Sequence, residues 1–564
     1  MPRRIPFARP ASAAVVVIAA MLASAPVFAH AAPMAGAATP TAKPAQHNAD
    51  DSPKADDSPQ AGDLKAGKIS IGVAGFVRAH GAQYSAFQVD AGGAQSPDGM
   101  EVGTRATIKL DLVGKASASE SLSWGLHLAT DVASGTVVGR YGDGDLAGDR
   151  RPSDSFDAVA PLAMYAAADY KGKIGLRVGQ MTSNWGTGML ANDGMQAFDK
   201  RYDAWFTLPG TGDRVNRALF FVRPWAGTSS NLRGLVVMGA ADRVVQDDVQ
   251  WPQTDSIRAA WSPNTIDKAE QVIGAARMYL AKEQWVGLYY VYRTQNHADG
   301  KKLDVHAFDA AADLDMRPKT RDGYGDGLWL RAEYVLLSGT TTLAPSPEYP
   351  EHDVNQTGFT ALARYDSGKL RAELDLNFAT GDATTDDKTI RNFKNDPNAQ
   401  MGLVLFRRVL AWQSARARLT ASDPLYVGEP NEDLERLATA GSVTNTLSIF
   451  PKIGYEVTDG LSIYGGALLA WALADPLDPF HTRTKGGGTA RNYLDAKPAD
   501  SMYGIELDVG VRYQHNVAGG LLAAGIEYGA LMAGGALQGP NGDELGTITG
   551  GRFVLSWGPN PTAK

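Results

Sequence analysis

Residues 503–514 read YGIELDVGVRYQ, and their period decides the fold. Tyr503, Ile505, Leu507, Val509, Val511 and Tyr513 alternate without a break with Gly504, Glu506, Asp508, Gly510, Arg512 and Gln514. On a helix the apolar members would be scattered around the cylinder, whereas on a strand they form one continuous face. Residues 369–378, KLRAELDLNF, repeat the pattern, with Leu370, Ala372, Leu374, Leu376 and Phe378 against Arg371, Glu373, Asp375 and Asn377.

Working outward, 102–113 places Ala106, Ile108, Leu110 and Leu112 opposite Arg105, Thr107, Lys109 and Asp111, and 121–129 places Leu122, Trp124, Leu126 and Leu128 opposite Ser123, Gly125 and His127. Further strands are predicted over 69–80, 158–170, 173–181, 217–223, 233–243, 271–281, 284–295, 303–313, 327–338, 357–366, 442–456, 461–473, 521–532 and 547–557. Tight polar links join several of them: Tyr170-Lys171-Gly172, Asp366-Ser367-Gly368, Thr458-Asp459-Gly460 and the 516–520 segment. Long connections, notably 133–157, 183–216, 381–441 and 474–500, alternate with these hairpins. Short turns at one end and long loops at the other are the arrangement of outer-membrane barrels, with the short turns in the periplasm.

A soluble sandwich or propeller also alternates, so the choice rests on the rest of the chain. Arg3, Arg4 and Arg9 precede an apolar run from Ala11 to Ala25, and Ala29 and Ala31 form an A-x-A pattern, so residues 1–31 read as a secretory signal peptide. Residues 32–67, including HNADDSPKADDSPQAGD, have no apolar periodicity and read as a disordered linker rich in Ala, Pro and Asp. Beyond them no stretch offers eighteen consecutive apolar residues, which leaves a closed barrel as the way to span a membrane. Aromatics at strand ends, Tyr503, Tyr513, Phe378 and Trp471, suit an interfacial girdle. The expected fold is all-β: a transmembrane antiparallel barrel of 16–18 strands over 68–564, with long extracellular loops.

Charges that alternate with apolar residues cannot face hydrocarbon, where a Lys or Arg costs about 2–4 kcal/mol at mid-depth. The predicted lumen-lining set is Arg105, Lys109, Asp111, Arg177, Arg331, Glu333, Arg364, Arg371, Glu373, Asp375, Glu506, Asp508, Arg512, Glu527 and Arg552. These charges either pair laterally along the wall or offer arginines and lysines as a track for an anionic solute. The long loop 381–441 contains a predicted helix from Met401 to Leu419, with Leu403, Phe406, Leu410 and Trp412 beside Arg407, Arg408, Arg416 and Arg418; it is expected to fold inward as a constriction carrying these arginines.

Chemistry of other kinds finds little support. The chain has no cysteine, which removes disulfides, thiolate metal sites and cysteine nucleophiles. A net charge of -8 argues against a nucleic-acid partner. Its 9 histidines have no H-E-x-x-H spacing and no G-x-S-x-G is present, so no catalytic residue, cofactor or metal is assigned and no enzyme is expected. Asp143, Asp145 and Asp149 lie among glycines but lack the full ligand pattern of a calcium loop. A TonB-type importer would need a folded plug ahead of the barrel, and only the linker stands there.

The segments VGQMTSNWGTGMLANDG at 178–194 and ATGD…DPNAQMGLVLFRRVLAWQSARA at 379–417 resemble large outer-membrane barrels of myxobacteria, and the layout is similar to the alginate-export porins. The resemblance implies an eighteen-stranded channel for hydrophilic, anionic solutes or an exopolysaccharide. The terminal strand RFVLSW, with Phe553, Leu555 and Trp557 on one face, resembles the aromatic-ending strand that the outer-membrane assembly machinery recognises. The partners expected are that machinery, outer-membrane lipid and the solute, with the oligomeric state open. The other readings are a surface barrel for adhesion or cell contact with a loop-plugged lumen, and a barrel hydrolase.

Overall fold

In the computed structural model, residues 64–66, 69–115, 121–138, 157–195, 204–247, 268–297, 300–320, 323–343, 348–384, 387–421 and 439–559 are described. The signal peptide, almost all of the linker and the aspartate-rich 140–154 segment lie outside them. Eighteen long strands run in chain order: β1 (Ile69–Tyr84), β2 (Glu101–Lys115), β3 (Leu122–Val138), β4 (Asp157–Tyr170), β5 (Ile174–Thr182), β6 (Arg214–Val222), β7 (Leu235–Gln246), β8 (Lys268–Ala281), β9 (Gln284–Asn296), β10 (Lys302–Asp315), β11 (Gly327–Thr341), β12 (His352–Ser367), β13 (Leu370–Ala379), β14 (Thr446–Thr458), β15 (Leu461–Trp471), β16 (Met502–Val517), β17 (Gly520–Ala533) and β18 (Thr547–Pro559). Each pairs antiparallel with the next. β18 returns to β1 from Val77↔Trp557 to Tyr84↔Gly550, which closes the barrel and leaves none of the eighteen strands with an unpaired edge.

The hairpins at the short-turn end follow from local chemistry. Lys171 and Gly172 both have positive φ (54° and 63°) at the centre of a turn closed by the Lys173 N–H donating to the Tyr170 carbonyl (3.0 Å), and Ala518 and Gly519 (51° and 77°) form a two-residue link, conformations whose twist matches the strands they join. Pairing across these turns is in register from the first residues: Tyr170 opposite Ile174, Val517 opposite Gly520.

Side-chain alternation then sets two faces. Leu288 on β9 and Ile526 on β17 are 65% and 67% exposed, and Ile108, Leu126, Val178, Phe308 and Val509 are also exposed. A belt of large apolar side chains around the whole outside is incompatible with water and matches a hydrocarbon solvent. Tyr170, Tyr365, Tyr455 and Tyr513 mark the belt's edge at the short-turn end.

Two details depart from simple alternation. Tyr503 is buried inside the barrel, not part of the outer girdle, because the register between β15 and β16 shifts between Ala470 and Trp471, so that Trp471 meets Met502 while Ala470 meets Gly504. The extra residue, Tyr503, turns inward where the bulge forms. Strand β3 also runs past its expected end at residue 129 to Val138, through a bulge opposite Pro161 and a positive φ at Ala133 (53°).

The largest buried apolar cluster lies inside the barrel. It joins Met401, Leu403–Phe406, Val409, Leu410 and Trp412 of the long loop to inward residues of β14–β18, among them Phe450, Tyr464, Leu468, Tyr503, Leu531 and Ile548.

Candidate functional site: the lumen and its inward loops

All fifteen sequence-derived wall residues sit on strands at positions between the exposed apolar ones, and so point inward: Arg105, Lys109 and Asp111 on β2, Arg177 on β5, Arg331 and Glu333 on β11, Arg364 on β12, Arg371, Glu373 and Asp375 on β13, Glu506, Asp508 and Arg512 on β16, Glu527 on β17 and Arg552 on β18. Many pair with their lateral neighbours. Lys452 on β14 lies 2.9 Å from Glu373 and 2.8 Å from Asp375. Arg364 and Arg371 meet Asp366 at 2.9 and 3.4 Å, Arg105 meets Asp131 at 3.2 Å, Arg331 meets Asp313 at 3.6 Å, and Asp111 meets His127 at 2.6 Å. The Arg177 guanidinium lies 5.9 Å from the centre of the Phe221 ring.

Several of these carboxylates do not line water, however. Glu506, 0% exposed, accepts hydrogen bonds from the backbone N–H groups of Leu403 (2.5 Å), Val404 (2.8 Å) and Leu405 (2.8 Å). It anchors the start of a π-helical segment, Leu405–Leu410, that continues into α1 (Ala411–Ala421). The unpaired N–H groups at a helix start attract a carboxylate, and here the barrel wall supplies it. Asp508 is buried beside it, and Glu527 is covered by Arg552 (2.5 Å), the Tyr464 hydroxyl (2.8 Å) and the Phe206 N–H (3.1 Å). Glu333, also 0% exposed, receives the Thr187 N–H at 2.5 Å, the Thr187 hydroxyl at 2.6 Å and the Met189 N–H at 3.2 Å. Glu333, Glu506, Asp508 and Glu527 are thus covered groups on the inner wall rather than groups in open lumen.

The arginines predicted for the constriction divide similarly. Arg408 forms a buried bidentate pair with Glu101 (3.1 and 2.5 Å) and lies 3.9 Å over the Tyr84 ring, and Arg416 binds Asp90 at 2.6 Å. Both pin the helix to the extracellular end of the wall. Burial alone would raise the Asp90 carboxyl, but the Ala94 N–H and the Arg416 guanidinium hold it below the usual carboxylate range. Arg407 faces a cavity, and the Arg418 side chain lies outside the described residues.

A second inward loop, 183–213, was legible in sequence only as a long connection. Its described residues 183–195 leave β5 and pass β11 at Glu333, and residues 204–206 lie on the opposite side of the ring: Trp205 stacks on Tyr464 of β15 at 5.0 Å, and the Ala204 carbonyl accepts from Arg512 of β16 at 3.0 Å. It then returns to β6, nine strands from β15 in the ring of eighteen. On the way back it is stitched to the other inward loop, with Leu208 and Gln400 exchanging hydrogen bonds of 2.6 and 3.1 Å and the Gly210 N–H donating to Asn398 at 2.8 Å. The loop therefore crosses the lumen.

Beside this bridge, on the β1–β3 wall, lies a cavity of about 110 Å³ lined by six arginines, Arg78, Arg105, Arg214, Arg407, Arg408 and Arg552, and by two carboxylates, Glu101 and Asp131. Arg78 and Arg105 stand directly opposite each other across the β1–β2 ladder. Like charges so placed repel, and Asp131 forms its ion pair with Arg105. Among the described residues neither Arg78 nor Arg407 has a carboxylate within ion-pair distance, and the buried Arg78 Nε and Arg407 Nη1 have no hydrogen-bond partner. Arg78 and its neighbour His80 escaped the sequence reading, although Val73, Gly75 and Val77 on the other face of the same segment give their parity away. A second cavity, of about 100 Å³, lies toward β11–β14 between Arg331, Arg364, Lys452, Glu373 and Asp375. Gln400 borders both.

A closed ring with an apolar outer belt, an aromatic edge and a charged interior spanned by folded-in loops has one home. The chain is an outer-membrane β-barrel. No protein-family model matches it, and no curated protein does. Among solved structures it is similar to OccK1 (OpdK) of Pseudomonas aeruginosa, with 11% identity, 86% of this chain and 98% of that one covered, and a TM-score of 0.41. It is also similar to OccK2 (OpdF) of the same organism, solved in complex with glucuronate (10%, 86% and 98%, 0.42), and to the outer membrane channel DcaP of Acinetobacter baumannii (10%, 87% and 97%, 0.39). These are neither alginate-export porins nor myxobacterial barrels, and at such identities and scores the function has to be argued from this barrel's own residues.

Proposed function

We propose that the barrel is a passive channel for small hydrophilic anions, carboxylates foremost. The observation that carries this reading is the arginine-lined cavity beside the cross-lumen loop: six guanidinium groups face two carboxylates, and buried N–H groups of Arg78, Arg407 and Arg552 have no hydrogen-bond partner among the described residues. A carboxylate is the natural complement, because a guanidinium presents parallel donors at its spacing and a buried orphan donor costs free energy until it is met. The cavity borders the bridge through Leu208, Gly210 and Gln400. Mixed-sign pairs elsewhere on the wall keep it rigid, while the arginine-lined cavity carries six cationic side chains against two carboxylates, which favours anions beside the bridge. The bridge from β5 to the β15–β17 wall supports a small solute over a threading polysaccharide chain.

The test is carboxylate flux into liposomes holding the purified protein, wild type against an R78Q/R407Q double variant. Acetate-driven swelling is expected to fall about tenfold in the variant, the loss of two strong anion contacts at about 0.7 kcal/mol each being enough, with uncharged glycerol unaffected. Equal loss for both solutes would instead mean that the lumen had collapsed, and no loss for acetate would remove the arginine cavity from the pathway.

A further inference from the structure

The arginine-lined cavity offers more donors, from more directions, than a carboxylate uses. Arg105 is spent on Asp131 and on the Gly194 and Gly210 carbonyls, and Arg408 on Glu101. Three other guanidinium groups keep a nitrogen in reserve: Arg78 Nε on β1, Arg552 Nη1 on β18 and Arg407 Nη1 on the π-helical segment are buried with no hydrogen-bond partner among the described residues. His80, two positions along β1 from Arg78, adds a fourth group, since its buried Nδ1 is also unmet. Arg407 and Arg552 lie close enough to act through their charge on both Arg78 and His80, so the four groups surround one space.

Each group is held from behind. Glu527 engages Arg552 at 2.5 Å, and the Pro209 carbonyl accepts from Arg78 Nη2 at 2.8 Å. Arg407 follows Leu403–Leu405, docked on Glu506, and precedes Arg408, clamped to Glu101. Gly103 stands opposite His80 across the β1–β2 ladder, where a Cβ would lie 2.6 Å from the imidazole Cε1, so the glycine leaves the ring room against the wall. The donors are therefore preorganised, and they come from three separate elements. Arg78 and Arg407 bring two positive charges that no carboxylate among the described residues neutralises by contact.

We propose that this cavity binds a tetrahedral, doubly charged oxyanion, of which inorganic phosphate is the simplest, and that the bound dianion obstructs the passage of carboxylates. Two charges on the ligand match the two on Arg78 and Arg407. Four oxygens at the corners of a tetrahedron accept from different sides, whereas the two oxygens of a carboxylate accept best near one plane. A carboxylate meets some of the donors and moves on. A ligand that meets all of them stays, and conduction fails when binding is too strong to leave. A volume of about 110 Å³ has room for so small an ion. The inference rests on the anion-channel reading for the place of the cavity on the route and adds the ion that regulates it.

The experiment titrates inorganic phosphate and malonate into the detergent-purified protein by calorimetry, at a mildly alkaline pH where phosphate is chiefly the dianion. Malonate carries the same charge on planar carboxylates. Acetate flux into liposomes, with phosphate or malonate added at constant ionic strength, and reversal potential in a KCl gradient are measured on the same preparations. Wild type is expected to bind phosphate at least about tenfold more tightly than malonate, the yield of one further charge-assisted hydrogen bond, and phosphate is expected to halve acetate flux at a correspondingly lower concentration. R407Q should weaken phosphate binding about tenfold or more, and R407K, which keeps the charge but not the planar fork, by less. Equal affinity for phosphate and malonate, or wild-type phosphate affinity in R407Q, would overturn the oxyanion site while leaving the anion channel standing. Tight phosphate binding with acetate flux undiminished would overturn the obstruction. Phosphate binding in a channel without anion selectivity would overturn the channel reading and spare the site.

Discussion

Replacing Glu506 with Leu keeps the bulk of the side chain and removes both acceptors from the three N–H groups of Leu403, Val404 and Leu405. Each buried donor left without a partner costs about 1–3 kcal/mol, and the lost charge at a helix start about 0.3–1 kcal/mol more, so docking of the 401–421 segment should weaken by about 3–10 kcal/mol, over a hundredfold in the population of the undocked form. The barrel itself closes through strand pairing that does not include this loop, so the ring should still form. The E506Q substitution is a graded control. In wild type Oε1 accepts from Leu403 and Val404 and Oε2 from Leu405, so the amide oxygen of the variant can keep two bonds while its NH₂ confronts one N–H, for a loss of about 1–3 kcal/mol. The assay is limited trypsin digestion at Arg407 and Arg408, where cleavage follows the open population when reclosing is fast. E506L should be cut at least about a hundredfold faster than wild type, with E506Q between. Equal cleavage of all three proteins would refute the idea that the wall carboxylate holds the loop.

Two further perturbations address the other contacts. R408A should lower thermal stability of the docked loop by about 3–5 kcal/mol by stranding buried Glu101, and adding E101Q should restore part of it, as differential melting would show. G454V should dislodge the cross-lumen loop by about 1–3 kcal/mol, because a Cβ at Gly454 would lie 2.3 Å from the Trp205 ring; a red-shifted tryptophan emission that vanishes in a W205F background would report it.

The barrel was legible because its solvent imposes a period of two on the strands: the alternation that separates Leu507 and Val509 from Glu506 and Asp508 recurs along most of the ring. Tyr503 broke the rule because a bulge adds a residue without altering the local composition, so alternation read from sequence runs straight through it. The loops were legible only in part. Leu403, Phe406, Leu410 and Trp412 announced a buried helix face, and all four are buried. What they pack against, and that Glu506 and Arg408 serve as ties, depends on residues a hundred or three hundred positions away. The cross-lumen path of 183–213 left no local mark for the same reason: Trp205 finds its place against Gly454, Tyr464 and Arg371, none of which its own neighbourhood in sequence foreshadows.

The central claim is that excess positive charge on the β1–β3 wall makes this barrel an anion channel, and the most direct measurement is the zero-current potential of single wild-type channels in a planar bilayer under a tenfold KCl gradient. A potential of the sign set by chloride, moving toward zero in R78Q/R407Q, is the predicted result. A potential of the sign set by potassium would contradict the account.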